Sequence, residues 1–259
     1  MATCTKCGKS RHWRLGDGRL KCRHCSHRFS PRSVWARSRL SERTKHQLLE
    51  WFVLGVPVYR QRFRGRASAP ATERFYRLAR AVCAWQEELR SPMAGQLEID
   101  ETTFGGVRHG KRGWGAAGKV VVFGILKRNG LVRVFPVPAR NCREIVGRVI
   151  AETKPGSLYY TDDWQAYASL AIRGEHIVIH KQKGRPKGRD HINGIEGFWS
   201  YAKNWMYPLR GVPRRYFHLY LGEVAFRFNH RDEDLLPLLE RLMKRTNADE
   251  LTSTLVRIR

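Results

Sequence analysis

The sequence predicts an α/β core, a mixed five-stranded sheet with flanking helices, preceded by two small modules: a metal-held ribbon and a helical unit. Three observations predict it. Four cysteines stand in two C-x2-C pairs within the first 25 residues. Residues 33–92 carry apolar side chains at helical spacing. From residue 93 onward, short β-branched runs alternate with helical stretches, as in a sheet covered by helices. The divisions drawn on this basis are 1–32, 33–92 and 93–259.

The first module reads "CTKCGKSRHWRLGDGRLKCRHC" over residues 4–25. Cys4 and Cys7 form one knuckle, and Cys22 and Cys25 form the other after 14 intervening residues. Four thiolates at this spacing converge tetrahedrally on zinc, each pair closing a tight turn. Gly8, Gly16 and Gly18 suit those turns and a hairpin tip. With four sulfurs available, His12, His24 and His27 are expected on a basic surface. Cys83 and Cys142 stand alone and are expected to be buried thiols. So small a ribbon has little core, and metal binding must supply most of its folding free energy.

"SPRS" at 30–33 reads as a linker. Ser41 then precedes a helix whose apolar positions are Leu48, Leu49, Phe52 and Val53, ended by Gly55 and Pro57. "VYRQRF" (58–63) is a short connecting segment. A second helix, opened by "SAPAT", carries Phe75, Leu78, Ala79, Val82 and Trp85 on one face. Helix, short helix, turn and helix suggest a unit of helix-turn-helix type. Arg74, Arg77 and Arg80 are expected on or beside its exposed face. Residues 1–90 hold 21 basic and 6 acidic side chains, 21 − 6 = +15, which favours DNA contact over a merely solvated helix.

In the core, "QLEIDETTFGG" (96–106) reads as a strand. "KVVVFGILKR" and "LVRVFPVPA" are two more, joined by Asn129-Gly130, a hairpin signal. "RNCREIVGRVIAE" (140–152) reads as a helix. "GSLYYTDDWQAYASL" is a strand running into Asp162 and Asp163 and then a helix, "HIVIH" (176–180) is a fifth strand, and 191–207 is a helix. The order suits the ribonuclease H-like plan. In that plan an acid midway along the first strand, Asp100, meets one at the end of the fourth, and a third on the late helix approaches from the side. Three gathered carboxylates repel one another unless a divalent cation neutralises them. A pair of Mg²⁺ ions roughly 3.5–4 Å apart then serves in-line phosphodiester displacement.

The composition agrees. With 49 Lys and Arg against 23 Asp and Glu, the formal charge is +26, a field that draws polyanions, nucleic acid first and anionic membrane second. No apolar run approaches the roughly 18 residues of a membrane span, "VVVF" at 120–123 being the longest. "MATCTKCGKS" has no signal-peptide character. A soluble, cytoplasmic nucleic-acid binder with reduced cysteines is expected.

"EIDETTFGG", "YTDDWQAY" and "HINGIEGFWSYAK" resemble the three motifs of DDE transposases of bacterial insertion sequences, especially the group with an N-terminal zinc ribbon. "YLGEVAFRFNHR" (220–231) resembles that group's C-terminal segment. The resemblance implies an integrase-like fold that uses Mg²⁺, with Mn²⁺ as a substitute, to cut the element's ends and join the 3′-hydroxyls to target DNA. It implies a homodimer or higher oligomer on double-stranded DNA, with no membrane partner. Carried over by position, the catalytic and magnesium-binding residues are Asp100, Asp162 and Glu196; Asp163 falls where the pattern varies. Lys203, seven residues after Glu196 on the same helix face, resembles a lysine that contacts DNA near the scissile phosphate. Asn193 is the alternative third ligand, because some members of the group use asparagine there.

Other residues invite weaker readings. Glu98 and Glu101 flank Asp100 and are expected on the opposite face of the strand, solvated or paired. His109 lies in a basic loop. Lys183, Arg185 and Lys187, with His180, Lys181 and Arg189, form a basic loop before the late helix, expected to contact phosphates. Trp199 and Trp205 are expected in the core. Two other functions compete with transposition: a catalytically silent zinc-ribbon/helix-turn-helix DNA-binding regulator derived from a transposase, and a structure-specific nuclease of the same fold.

Overall fold

The computed structural model describes the chain apart from residues 1–3, 5, 18, 30–32, 106–118, 181–187, 189, 249–250 and 252–259. The chain divides into two compact units, Met1–Trp85 with Asp232–Arg259, and Gln86–Arg231. The sequence-based division instead runs the last domain to residue 259.

The first unit opens with a three-stranded antiparallel ribbon, β1 (His12–Arg14), β2 (Leu20–Cys22) and β3 (Arg28–Phe29). Its core is small: Cys4, Leu20, Cys22 and Phe29 are buried. Helices α1 (Val34–Arg37), α2 (Glu42–Val53) and α3 (Ala69–Glu88) follow, with a 3-10 turn at Val58–Gln61 between the last two. Ser41 caps α2 by accepting from the Thr44 amide at 3.3 Å, as its position before the apolar run predicts. Leu48, Leu49 and Phe52 of α2 and Phe75, Ala79 and Val82 of α3 are buried. Arg80, expected near the exposed face, is only 4% exposed. Its guanidinium lies over the rings of Phe52 and Tyr76, a pairing that lets a cation enter an apolar interior. Helix α7 (Leu235–Arg245) belongs to this unit because its apolar stripe, Leu238, Leu239 and Met243, is buried. Its C-terminal end is pinned by the bond from the Val34 amide to the Thr246 carbonyl, 3.0 Å.

The second unit is built on a five-stranded sheet in the order β6-β5-β4-β7-β8. Strands β4 (Gln96–Phe104), β5 (Val120–Lys127) and β6 (Val132–Val137) form an antiparallel meander, with Asn129 at φ 55° in its turn. Helix α4 (Cys142–Glu152) leads to β7 (Leu158–Asp162), which pairs parallel to β4, and β8 (Glu175–Ile179) adds parallel to β7. The helix expected after β7 is a 3-10 helix, Gln165–Ile172. Cys83 is buried as expected, whereas Cys142, at the exposed start of α4, is not. One sheet face packs on α4 and this 3-10 segment through Leu97, Ile99, Ile145, Val149, Tyr159 and Tyr167. The other packs on α5 (Asn193–Met206) and α6 (Phe217–Asn229) through Phe104, Tyr160, Ile195, Phe198, Trp199 and Val224. This mixed sheet between helices fits a ribonuclease H-like fold. Asn229 closes the free edge of β6. Its Oδ1 accepts from the Val132 amide at 2.8 Å, and its Nδ2 donates to the Val132 carbonyl at 2.9 Å.

Candidate active site

Strand alternation puts every second side chain on one face. On β4 these are Glu98, Asp100, Thr102 and Phe104, all facing α5. Expecting Glu98 on the face opposite Asp100 was therefore wrong, because two residues along a strand return to the same side. The last register pair between β4 and β7 is Glu98 with Tyr160. Two residues further along each parallel strand stand Asp100 and Asp162. By that register the two residues are level on adjacent strands.

Helix α5 is fixed along β4 at three places. The Ile195 amide donates to Glu98 Oε2 at 2.9 Å, the Trp199 indole to Asp100 Oδ2 at 3.1 Å, and Lys203 Nζ to Thr102 Oγ1 at 2.9 Å. Each step is four residues of helix against two of strand. Four helix residues rise ~6.0 Å, close to the ~6.7 Å of two strand residues, so the contacts stay in step. The first contact also caps the helix, since Ile192 at the N-cap makes no side-chain cap bond. Glu98 is 1% exposed and pairs with Arg128 at 3.0 Å, whose guanidinium lies 3.5 Å from the centroid of the Tyr160 ring.

Asp100 is 8% exposed. Its neighbour on β5 is Gly124. A Cβ there would come within 2.6 Å of the Trp199 ring, so the missing side chain makes the space in which the indole reaches the carboxylate. Gly194 is similarly constrained, with Glu98 Oε2 at 2.8 Å from where its Cβ would be.

Behind Asp100, on the opposite face, Glu101 accepts from the Tyr167 hydroxyl and pairs with Arg140. Arg140 lies 4.1 Å from the Trp164 ring centroid, and the Trp164 amide donates to Asp162 Oδ1 at 3.1 Å. The segment carrying Asp162 is thus tied to the back of β4. Burial raises the pKa of Glu101 against the lowering pull of Tyr167 and Arg140. Burial and the Glu101 charge push Tyr167 well above the usual tyrosine range, with contributions from Asp100 and Asp162.

Glu196 stands exposed in the first turn of α5. At seven residues' separation it and Lys203 are about 20° apart around the helix, the flank from which Lys203 reaches Thr102. Asn193, at the start of α5, and Asp163 are exposed as well. Among the described residues, the His, Cys, Asp and Glu side chains with three or more ligand atoms within 4.8 Å of one another are Cys4, Cys7, Cys22 and Cys25 alone. Asp100, Asp162 and Glu196 do not form so tight a cluster. Ile195, Phe198, Trp199, Ala202 and Met206 are buried, as the α5 pattern predicts. Lys183, Arg185 and Lys187, with His109, lie outside the described residues. Arg74 is exposed and Arg77 half-buried on α3.

The cysteine site in the first unit fits zinc. Cys4 and Cys25 sulfurs are 3.5 Å apart, as are those of Cys7 and Cys22. Four sulfurs at ~2.3 Å from a tetrahedral zinc stand ~3.8 Å from one another. Backbone amides of Cys25 and His24 turned toward the Cys22 sulfur hold its pKa at about 6, favouring the thiolate that binds metal.

Sequence reasoning missed the groups that position the acids: Glu98, Gly124, Trp199 as a donor, and the Glu101, Tyr167 and Arg140 network. Counting by twos along β4 finds Glu98. The glycine inside "VVVFGILK" marks a close approach to a strand.

Residues 92–229, 138 of the 259 (229 − 92 + 1), match the family model described as ISXO2-like transposase domain. A Haemophilus influenzae protein described as an uncharacterized transposase-like protein is 33% identical over 95 residues, 36% of this chain and 77% of that protein. Among solved structures there is a likeness to the cryoEM structure of a simian T-cell lymphotropic virus intasome in complex with PP2A regulatory subunit B56 gamma. It has 11% identity and a TM-score of 0.34, over 71% of this chain and 64% of that one. The chain thus spans less than two thirds of the length of that structure's chain.

Proposed function

Because the chain belongs to the ISXO2-like transposase family, we propose that it binds the ends of its own insertion sequence, cleaves them and joins the freed 3′-hydroxyls to target DNA. The observation that carries this reading is the level placement of Asp100 and Asp162 on adjacent strands, under a helix bearing Glu196 and Lys203 that three hydrogen bonds register on β4.

Asp100, Asp162 and Glu196 are the residues that would hold Mg²⁺. The donor set fits: all three are hard oxygen ligands, and Asp100, nearly buried beside Asp162, carries a charge that a cation would balance. Bound there, magnesium supplies Lewis-acid activation of the attacking and leaving oxygens. The chain's own residues do the rest. Trp199 holds the Asp100 carboxylate in one orientation, and Trp164 does the same for Asp162. Lys203, steadied by Thr102, offers its ammonium to a phosphate next to the scissile bond. Zinc in the Cys4, Cys7, Cys22 and Cys25 site folds the ribbon. With the helices carrying Arg74 and Arg77, that ribbon forms the sequence-reading end of the protein, and the basic loop with Lys183, Arg185 and Lys187 contacts backbone phosphates. Synapsis of two ends calls for a dimer or larger assembly.

The test incubates the full chain with Mg²⁺, supercoiled DNA and short duplexes drawn from the DNA flanking the reading frame. Joined products are expected. Asp100→Asn, Asp162→Asn and Glu196→Gln should each reduce joining by about a thousandfold or more, roughly 4 kcal/mol of transition-state stabilisation, while DNA binding persists. Binding without cleavage in the unmodified chain would make it a silent regulator, and cleavage without joining a nuclease. Full activity in Glu196→Gln, lost in Asn193→Ala, would move the third ligand to Asn193.

A further inference from the structure

The turn between α2 and α3 inverts the usual arrangement of polar and apolar side chains. Gln61 is buried, 4% exposed, whereas Phe63, two residues on, is 81% exposed and Tyr59 is 48% exposed. Burying a phenylalanine removes a large apolar surface from water, so a plain connector gains nothing by holding the ring out. Here the backbone holds it out firmly. Gln61 Nε2 donates to the Val56 carbonyl at 2.9 Å and to the Tyr76 hydroxyl at 2.6 Å. The amides of Arg64 and Gly65 both return to the Gln61 carbonyl, at 3.0 and 2.7 Å. A Cβ on Gly65 would stand 3.0 Å from that same oxygen, so a larger residue there would have to loosen the bend.

The charge along the turn itself is of one sign. Arg60, Arg62, Arg64 and Arg66 are exposed, and no acid occurs between Glu50 and Glu73. The Arg62 guanidinium lies 4.4 Å from the centroid of the Phe63 ring, and that of Arg60 lies 5.7 Å from the Tyr59 ring. The result is a stiff tip with an apolar ring at its centre and four cations around it. A DNA duplex matches that tip: phosphates outside, stacked apolar base faces inside, opened by an aromatic wedge.

We propose that the turn Tyr59–Arg66 is a DNA-contact element in which Arg60, Arg62, Arg64 and Arg66 engage phosphates and Phe63 stacks against a base step. The proposal rests on the transposase reading only for the identity of its partner as DNA. It concerns binding and not strand joining, so the two fail separately. An anionic membrane surface is the competing occupant of a basic aromatic tip.

The test measures binding of the full, zinc-loaded chain to a fluorescein-labelled duplex from the DNA flanking the reading frame, across a series of salt concentrations. A matching duplex carries 2-aminopurine, whose emission reports unstacking. Stacking of an aromatic on a base is worth about 1–3 kcal/mol. Phe63→Ala is therefore expected to weaken binding roughly tenfold, to keep the salt slope and to abolish the 2-aminopurine change, while Phe63→Trp retains all three. Arg62→Ala or Arg64→Ala should lower the salt slope by ~0.9 each. An unchanged melting temperature in Phe63→Ala shows that the fold is intact, as expected of so exposed a side chain. Wild-type affinity in Phe63→Ala, no duplex binding by the unmodified chain, or phosphatidylglycerol vesicles binding through Phe63 in preference to the duplex would each overturn the proposal. Duplex binding that depends on Phe63 without any strand joining would leave it standing and remove the transposase reading instead.

Discussion

Replacing Gly124 by alanine puts a methyl group 2.6 Å from the Trp199 ring. The indole then has to move, and with it the hydrogen bond to Asp100. Overpacking of this kind costs about 1–3 kcal/mol, so Gly124→Ala should lower the melting temperature modestly and reduce strand joining more than stability alone explains. Parallel measurements of unfolding and joining check this; unchanged joining would mean that Trp199 does not orient Asp100. Glu98 presents the complementary case. Its carboxylate is buried and joined both to Arg128 and to the Ile195 amide. Glu98→Ala leaves both partners without it, a loss of about 3–5 kcal/mol for a broken buried pair. Glu98→Gln keeps an acceptor for the Ile195 amide and should cost less. Denaturant unfolding of the two variants measures the difference.

At the scale of elements, α5 was legible from its apolar pattern, with Ile195, Phe198, Ala202 and Met206 all inside. Its register was not, because the three bonds to β4 join residues about a hundred positions apart. The ribbon behaves differently. Its buried residues are two cysteines, one leucine and one phenylalanine, with the other two cysteines packed on them, too few to offset chain entropy without metal. Chelation of zinc should therefore unfold residues 4–29 while β4 to β8 keep their structure. Hydrogen exchange resolved by segment reads this directly: loss of protection in β1 to β3 alone is the expected outcome. Retained protection there would show that the ribbon folds without metal.

Over the whole chain the charge of +26 sets how it meets DNA. Non-specific binding should fall steeply with salt, by a slope of ~0.9 for each phosphate neutralised. Asp100→Asn should follow the same slope, since removing one acid leaves the basic surfaces intact. Titrations of both proteins at several salt concentrations check this. No described helix is long and apolar enough to cross a membrane. The grouping of Asp232–Arg259 with the first unit was not visible in the chain order. The apolar stripe of α7 identifies a buried face but cannot say which other helices cover it.

Local pattern alone determined the cysteine spacing and the strands and helices of the core in their order, the 3-10 segment after β7 excepted. Each depends on neighbours a few residues apart: period two, period 3.6, or a knuckle of four residues. Tertiary structure alone decided that Glu98 caps α5 from the sheet, that Gly124 makes room for Trp199, that Glu101 ties the Asp162 segment to β4, and that Arg80 is buried. Each of those depends on a shape formed by residues distant along the chain, and side-chain volume and direction in three dimensions are not written in any local period.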